Sequence, residues 1–288
     1  MKMIQGQVVA AFSRQYLVEL HGSELLPCLT RGKKSEVACG DIVESRRTGD
    51  AQGVIEKITP RKTLLYRSVA HREKLIAANV TQMIVVVATE PSFDDELLAR
   101  CLVAAHDQQL ETLIVLNKCD LTALAETSRA QLLPYRAIGY RVLELSAKES
   151  VAPLLPCLQG HTSVLVGQSG MGKSTLINTL LPDAQAATRE ISTALDSGKH
   201  TTTHARLYHL NADSHLIDCP GVQAFGLHHL TFGDIEEGFV EFAAYRGQCR
   251  FNNCHHAHEP GCALRKAAEE GKINAHRLQL FQQISGGA

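Results

Sequence analysis

The sequence predicts an α/β chain, with a doubly wound parallel sheet lying between a small all-β barrel and a helical C-terminal segment. Three observations carry this expectation. Short strand-like runs broken by glycine fill residues 4–66, β-branched runs alternate with helical patterns from about 80 to 181, and three cysteines crowd into residues 249–262. The chain has 288 residues, 44% of them hydrophobic, enough to bury a core in two or three domains. The expected divisions are 1–66 for the barrel, 67–225 for the sheet and 226–288 for the helical segment.

In the first division, residues 7–12 and 16–20 read as strands flanking Ser13, Arg14 and Gln15, and residues 42–45 and 53–58 as two more. Gly22, Gly40 and Gly49 punctuate them. An OB-type barrel of five strands fits this length, and an SH3-like barrel fits nearly as well.

Past residue 75 the rhythm changes. Residues 80–88 (VTQMIVVVA) form a run rich in β-branched residues, as expected of a strand buried on both faces. A helical pattern follows at 94–108, a strand at 112–116, a helix near 122–136, and a strand at 141–145. Then come a helix near 150–158, a strand at 163–166, a helix from about 173 to 181 and a strand at 215–217. Strands alternating with helices of this length imply βαβ units. From about 226 the chain reads as helical and His-rich.

Composition excludes several classes. No apolar run reaches the roughly eighteen residues of a membrane span, and the N-terminus lacks a secretory h-region. The expectation is a cytoplasmic protein with reduced thiols and no membrane partner. The formal net charge is −1, with a net of about +3 over residues 1–66, so the charge balance permits RNA binding without establishing it. Cys28, Cys39, Cys101, Cys119 and Cys157 are scattered and read as ordinary small residues.

Residues 167–174 (Gly167, Gln168, Ser169, Gly170, Met171, Gly172, Lys173, Ser174) match G-x-x-x-x-G-K-S after a strand and before a helix. The glycines let backbone amides wrap phosphates, and the helix N-terminus adds partial positive charge. Lys173 is placed to reach the β and γ phosphates and Ser174 to ligate Mg²⁺. Asp218 and Gly221 form a D-x-P-G switch at a strand end, Asp218 holding Mg²⁺ through water and the Gly221 amide sensing the γ-phosphate. Between these, residues 188–204 have the polar, Thr-rich character of a switch segment. One hydroxyl of Thr201, Thr202 and Thr203 completes the Mg²⁺ shell, with Thr202 the preferred one.

Asn117, Lys118, Cys119 and Asp120 spell N-K-x-D at a strand end. The Asp120 carboxylate can accept from both the N1–H and the exocyclic amine of guanine, a pair adenine cannot offer. Lys118 would pack along the base, and Asn117 would tie this loop to the phosphate loop. Ser146 and Ala147, at the next strand end, supply an amide for the guanine O6. This motif precedes the phosphate loop by fifty residues, the reverse of the ordinary GTPase order. Val222 occupies the place of the water-orienting Gln, so slow intrinsic hydrolysis is expected, with His200 the best internal candidate for positioning water and a surface-loop histidine the alternative. A P-loop kinase or ATPase is disfavoured by Asp120, and a GTP-regulated RNA-binding module with negligible turnover is the other rival.

Cys249, Cys254 and Cys262 with one imidazole make a closed Cys₃His set for a structural Zn²⁺. His255, His256 and His258 compete for the fourth position.

Together, the motif order, Gly167 to Thr175, Gly198 to Thr203, Asp218 to Gly221 and the Cys249, Cys254, His256, Cys262 spacing resemble the circularly permuted GTPases. Among these, the chain is similar along nearly its whole length to the small ribosomal subunit biogenesis GTPases of the RsgA (YjeQ) family. The resemblance implies an OB-fold, a permuted GTPase domain and a zinc domain, with His256 as the fourth zinc ligand and a hydrolytic role for His200. It also implies a late assembly factor of the small (30S) ribosomal subunit whose GTPase that subunit stimulates, with GTP/GDP and the 16S rRNA as partners, acting as a monomer. Permutation places the Asp218 switch only about thirty residues before the first zinc ligand, so nucleotide state is expected to bias the zinc domain.

Overall fold

The computed structural model describes residues 3–12, 15–30, 36–49, 51–69, 72–182, 205–219 and 227–286. The first five strands are β1 (Ile4–Phe12), β2 (Gln15–Leu20), β3 (Leu25–Thr30), β4 (Ile42–Arg47) and β5 (Gly53–Ile58). They pair in the order β1-β2-β3-β5-β4, and β1 returns to β4 to close the barrel. The β3–β5 pair is parallel and the other pairs are antiparallel. This is the Greek-key closure of an OB barrel, which decides between the two barrels the sequence left open. Its separate core is built from Val8, Tyr16, Val18, Leu20, Leu26, Cys28, Val37, Val43 and Ile55.

Strand β1 serves two sheets. Its first half pairs with β4 (Ile4 opposite Ser45), and a register shift between Val8 and Ala10 bends it. Beyond the bend Ala10 and Ala11 pair with Arg206 and Ala205 of β12 (Ala205–His209). The barrel is thereby hydrogen-bonded directly into the central sheet. The hairpin of β6 (Leu64–Val69) and β7 (Arg72–Ala78) joins the two along another line, with Ala78 N donating to Cys39 O. The expected division at residue 66 falls inside β6.

The central sheet contains β8 (Gln82–Ala88), β9 (Glu111–Asn117), β10 (Arg141–Glu144), β11 (Thr162–Val166) and β13 (His215–Asp218). Its order is β10-β9-β8-β11-β13-β12, parallel throughout except for β12. Every residue of β8 is buried, as its β-branched run predicted. The crossover helices are α1 (Asp95–Asp107), α2 (Thr122–Ala137), α3 (Leu155–Leu158) and α4 (Lys173–Leu180). The helix expected near 150–158 is instead a 3₁₀ turn (Ala152–Leu154) and the single turn α3, each with proline in its first turn. Pro153 and Pro156 lack the N–H groups a continuous helix there would use.

The C-terminal helices α5 (Phe232–Gly238), α6 (Ala263–Glu269) and α7 (Ala275–Gly286) pack around Phe239, Phe242 and Phe281. They share one continuous core with the central sheet, because α1 is buried on both sides. The joint is reinforced by Arg277, 2% exposed, whose guanidinium donates to both Glu241 oxygens and lies over the rings of Tyr135 and Phe239. No helix among the described residues is long and apolar enough to cross a membrane.

Candidate functional site

Three loops at the carboxyl ends of β9, β10 and β11 converge, as expected for ligand sites of open α/β sheets. The residue that joins them is Asn117, 1% exposed at the end of β9. Its Nδ2 donates to Met171 O at 2.9 Å, and its Oδ1 accepts from Ala147 N at 2.9 Å. One amide thus locks the phosphate loop to both the N-K-x-D loop and the Ser146–Ala147 loop. Thr179 of α4 adds a second tie, its hydroxyl donating to Ala147 O at 3.1 Å.

The phosphate loop leaves β11 at Gly167 (φ +141°) and enters α4 at Gly172 (φ +90°). Both positions need glycine for space as well as for backbone angle. A Cβ at Gly167 would stand 2.2 Å from Val86 O, and one at Gly172 would stand 2.2 Å from Asn117 Nδ2. Gly172→Ala is therefore expected to push Asn117 off its partners and to weaken nucleotide binding about a hundredfold, since each buried amide left unpaired costs about 1–3 kcal/mol. Titration with a fluorescent GDP analogue, alongside an unchanged far-UV circular dichroism spectrum, checks this.

Lys173, first residue of α4, donates through Nζ to Gly167 O at 2.5 Å and Gln168 O at 2.7 Å, so its ammonium curls over the loop. Burial lowers its pKa from the ordinary lysine value, and the negative charge of Asp218 offsets part of that shift. Asp218 ends β13 opposite Leu165 of β11, with its pKa raised by burial and drawn back by Lys173. Two opposite charges thus flank the space above the loop where phosphates and a divalent cation belong. Ser174 and Thr175 are exposed in the first turn of α4, while Met171 is buried beneath the loop. The Ser174 hydroxyl suits a hard cation such as Mg²⁺.

In the N-K-x-D loop and the loop after β10, Asp120 Oδ1 and Ser146 Oγ are buried without a hydrogen-bond partner. A buried carboxylate oxygen left unsatisfied is costly unless a ligand supplies the donor, which fits a guanine N–H pair. Lys118 (φ +62°) sends its Nζ to Glu90 O at 2.6 Å, laying its stem beside the phosphate loop. His200, Thr202 with its neighbours Thr201 and Thr203, Gly221 and Val222 lie outside the described residues.

Sequence reasoning missed the segment after β8. Thr89 Oγ1 donates to Lys118 O at 3.0 Å, Glu90 O receives Lys118, and Asp94 N donates to Gln168 Oε1 at 3.0 Å. Asp94 also caps α1, accepting from Glu96 N and Leu97 N. The signal available was its position: residues directly following a buried parallel strand lie on the ligand-binding edge.

A second site lies in the C-terminal segment. The ligand atoms of Cys249, Cys254, His256 and Cys262 all lie within 4.8 Å of one another. His256 Nδ1 is 3.5 Å from Cys249 Sγ and 3.3 Å from Cys262 Sγ. Tetrahedral Zn²⁺ with its usual N and S bond lengths would put such atoms about 3.6 Å apart, so the set fits that ion. His256 is 5% exposed, whereas His255 and His258 are exposed, so the geometry selects His256 among the three. On the far side of its ring Glu236 stands 3.7 Å from Nε2, a carboxylate of the kind that orients a metal-bound imidazole. Ala263 N and Arg265 N donate to Cys249 Sγ and Cys262 Sγ, as amides do around metal thiolates. Burial raises the pKa of the Cys254 thiol, and a cation held among the four ligands would offset this by stabilising the thiolate.

Residues 58–228 match the family described as RsgA GTPase. The small ribosomal subunit biogenesis GTPase RsgA of Nitrosospira multiformis is 55% identical over 281 residues, 98% of this chain and 90% of that protein. The crystal structure of YjeQ from Thermotoga maritima superposes with a TM-score of 0.74 at 28% identity, covering 99% of this chain and 98% of that one. YloQ, described as a circularly permuted GTPase, gives 0.71 at 27% identity and covers 99% and 95%.

Proposed function

This chain belongs to the RsgA GTPase family, and from that premise we propose that it hydrolyses GTP to GDP and phosphate as a late maturation factor of the small ribosomal subunit, which stimulates its turnover. The observation that carries the reading is the Asn117 clamp, which makes one nucleotide site out of motifs arranged in permuted order. Asp120 reads guanine with Ser146 and Ala147, and Lys118 flanks the base. Gly167 to Thr175 cradle the phosphates, with Lys173 on the β and γ groups. Ser174 and Thr202, with Asp218 behind them, would hold Mg²⁺, which would supply charge neutralisation on the phosphates. Gly221 senses the γ-phosphate and His200 positions the attacking water, both assigned from sequence.

The Cys₃His set takes one structural Zn²⁺, supported by the fit of its ligand atoms. We divide the protein functionally into the barrel (1–66), the permuted GTPase unit (67–225) and the zinc unit (226–288). The 16S rRNA is the partner surface, engaged by a monomer in the cytoplasm. The test is GTP turnover combined with co-sedimentation on purified subunits. Slow intrinsic hydrolysis, accelerated by small subunits and not by large ones, is expected. Equal stimulation by both subunits, or equal hydrolysis of ATP, would overturn the assignment.

A further inference from the structure

The loop that carries the candidate metal ligands also displays an aromatic ring outside the hydrophobic core. Phe251, between Cys249 and Cys254, is 42% exposed. It stands outside the Phe239, Phe242 and Phe281 cluster, whose rings pack 5.2 to 5.3 Å apart. The Arg250 guanidinium lies 5.5 Å from the Phe251 centroid. Beside them the side chains of Asn252 and Asn253 are exposed.

The backbone beneath is fixed. Arg250 N donates to Gly261 O at 3.1 Å and Cys254 N to Phe251 O at 3.3 Å, with Ala263 N on Cys249 Sγ. A ring held out from an anchored loop has already lost much of the freedom it would lose on binding. Charge is one-sided as well. Residues 242–258 contain Arg246, Arg250 and three histidines and neither Asp nor Glu. Glu259, which closes the run, turns its carboxylate onto the N–H groups of His255, Ala257 and His258.

We propose that Phe251 is a stacking platform for one unpaired base of RNA, with Arg250 on the adjoining phosphate and the Asn252 and Asn253 amides reading the base edge. The inference rests on the functional reading above, in which the protein works on a ribosomal subunit. An apolar protein partner would call for a contiguous apolar surface around the ring. Among the described residues beyond Leu155, Phe251 is the only exposed large hydrophobic side chain. A base supplies its own flat face, so a single ring beside a guanidinium suffices.

The chain contains no tryptophan, so Phe251→Trp introduces a sole indole whose fluorescence a stacked base quenches. The probes are unstructured eight-nucleotide rA, rC and rU oligomers and purified small subunits. Saturable quenching is expected with both kinds of probe. Phe251→Ala is expected to lose about tenfold in affinity for both, with zinc content, melting temperature and intrinsic GTP turnover unchanged. Arg250→Ala is expected to lower the salt dependence by about one phosphate contact, and Asn252→Ala with Asn253→Ala to level the preference among oligomers. Wild-type affinity of Phe251→Ala for both probes, or absence of quenching by the oligomers, overturns the proposal. Loss on subunits with unchanged oligomer binding would place a ribosomal protein against the ring and overturn it equally. If small subunits neither bind nor stimulate the wild type while Phe251-dependent oligomer binding persists, the functional reading falls and the platform stands.

Discussion

Asp120→Asn is expected to weaken GTP and GDP binding about a thousandfold and to transfer preference to xanthosine nucleotides. In the native protein Asp120 Oδ1 is buried and lacks a protein donor, which leaves it free to accept from the base in the proposed reading. Hydrogen bonds to a charged acceptor are each worth about 1.5–3 kcal/mol, and guanine offers two donors. An asparagine amide can accept from N1–H, but its NH₂ then faces the exocyclic amine, donor against donor. Xanthine carries a carbonyl at that position, and the same NH₂ can donate to it. Because Asn117, not Asp120, holds the loops together, the variant should fold and melt like the wild type. Competition titrations with GDP and XDP read the exchange directly. A guanine affinity within about threefold of wild type would mean that Asp120 does not meet the base.

Removal of the metal should have the other large effect. A structural Zn²⁺ contributes about 10–16 kcal/mol of apparent binding free energy, comparable with the whole stability of a typical domain at about 5–15 kcal/mol. Its four ligands bracket a loop with little regular structure, and α6 begins immediately after Cys262. Chelation, or Cys254→Ser, is therefore expected to abolish amide protection across residues 249–269. Strands β8 and β9 lie in the interior of the sheet and should keep theirs. Nucleotide binding should survive, since no residue of the phosphate or guanine loops lies in this segment. Hydrogen exchange with and without chelator checks the contrast. Unchanged protection after complete metal removal would show the segment to be held by its aromatic core alone.

The site was more legible in the sequence than the scaffold around it. Asn117, Asp120, Gly167 to Ser174 and Cys249 to Cys262 are short local patterns whose chemistry needs particular residue types, and the structure gathers each set. The missed parts depend on distant partners. Strand β3 reads LLPCLT, in which Pro27 argues against a strand. Its ladder with β5 begins only at Cys28, so the missing N–H interrupts nothing on that side. Strand β12 emerges from a polar, Thr-rich run, and part of its pairing is with Ala10 and Ala11, nearly two hundred residues earlier. Glu90 and Asp94 contribute backbone atoms that any residue would offer, and Thr89 a single hydroxyl on Lys118 O, so no local pattern could announce these ties.

The strand order also fixes what the growing chain must endure during synthesis. Strands β8, β9 and β10 are neighbours in sequence and in the sheet, so they can pair as soon as they emerge. The free flank of β8, a strand buried along its whole length, then waits for β11, more than seventy residues further on. Until Thr162–Val166 has been made, the nascent half-sheet presents an apolar, unpaired edge of the kind that recruits other chains. The permuted gene order that assembles one nucleotide pocket from rearranged pieces therefore leaves the middle of the sheet as its temporary border.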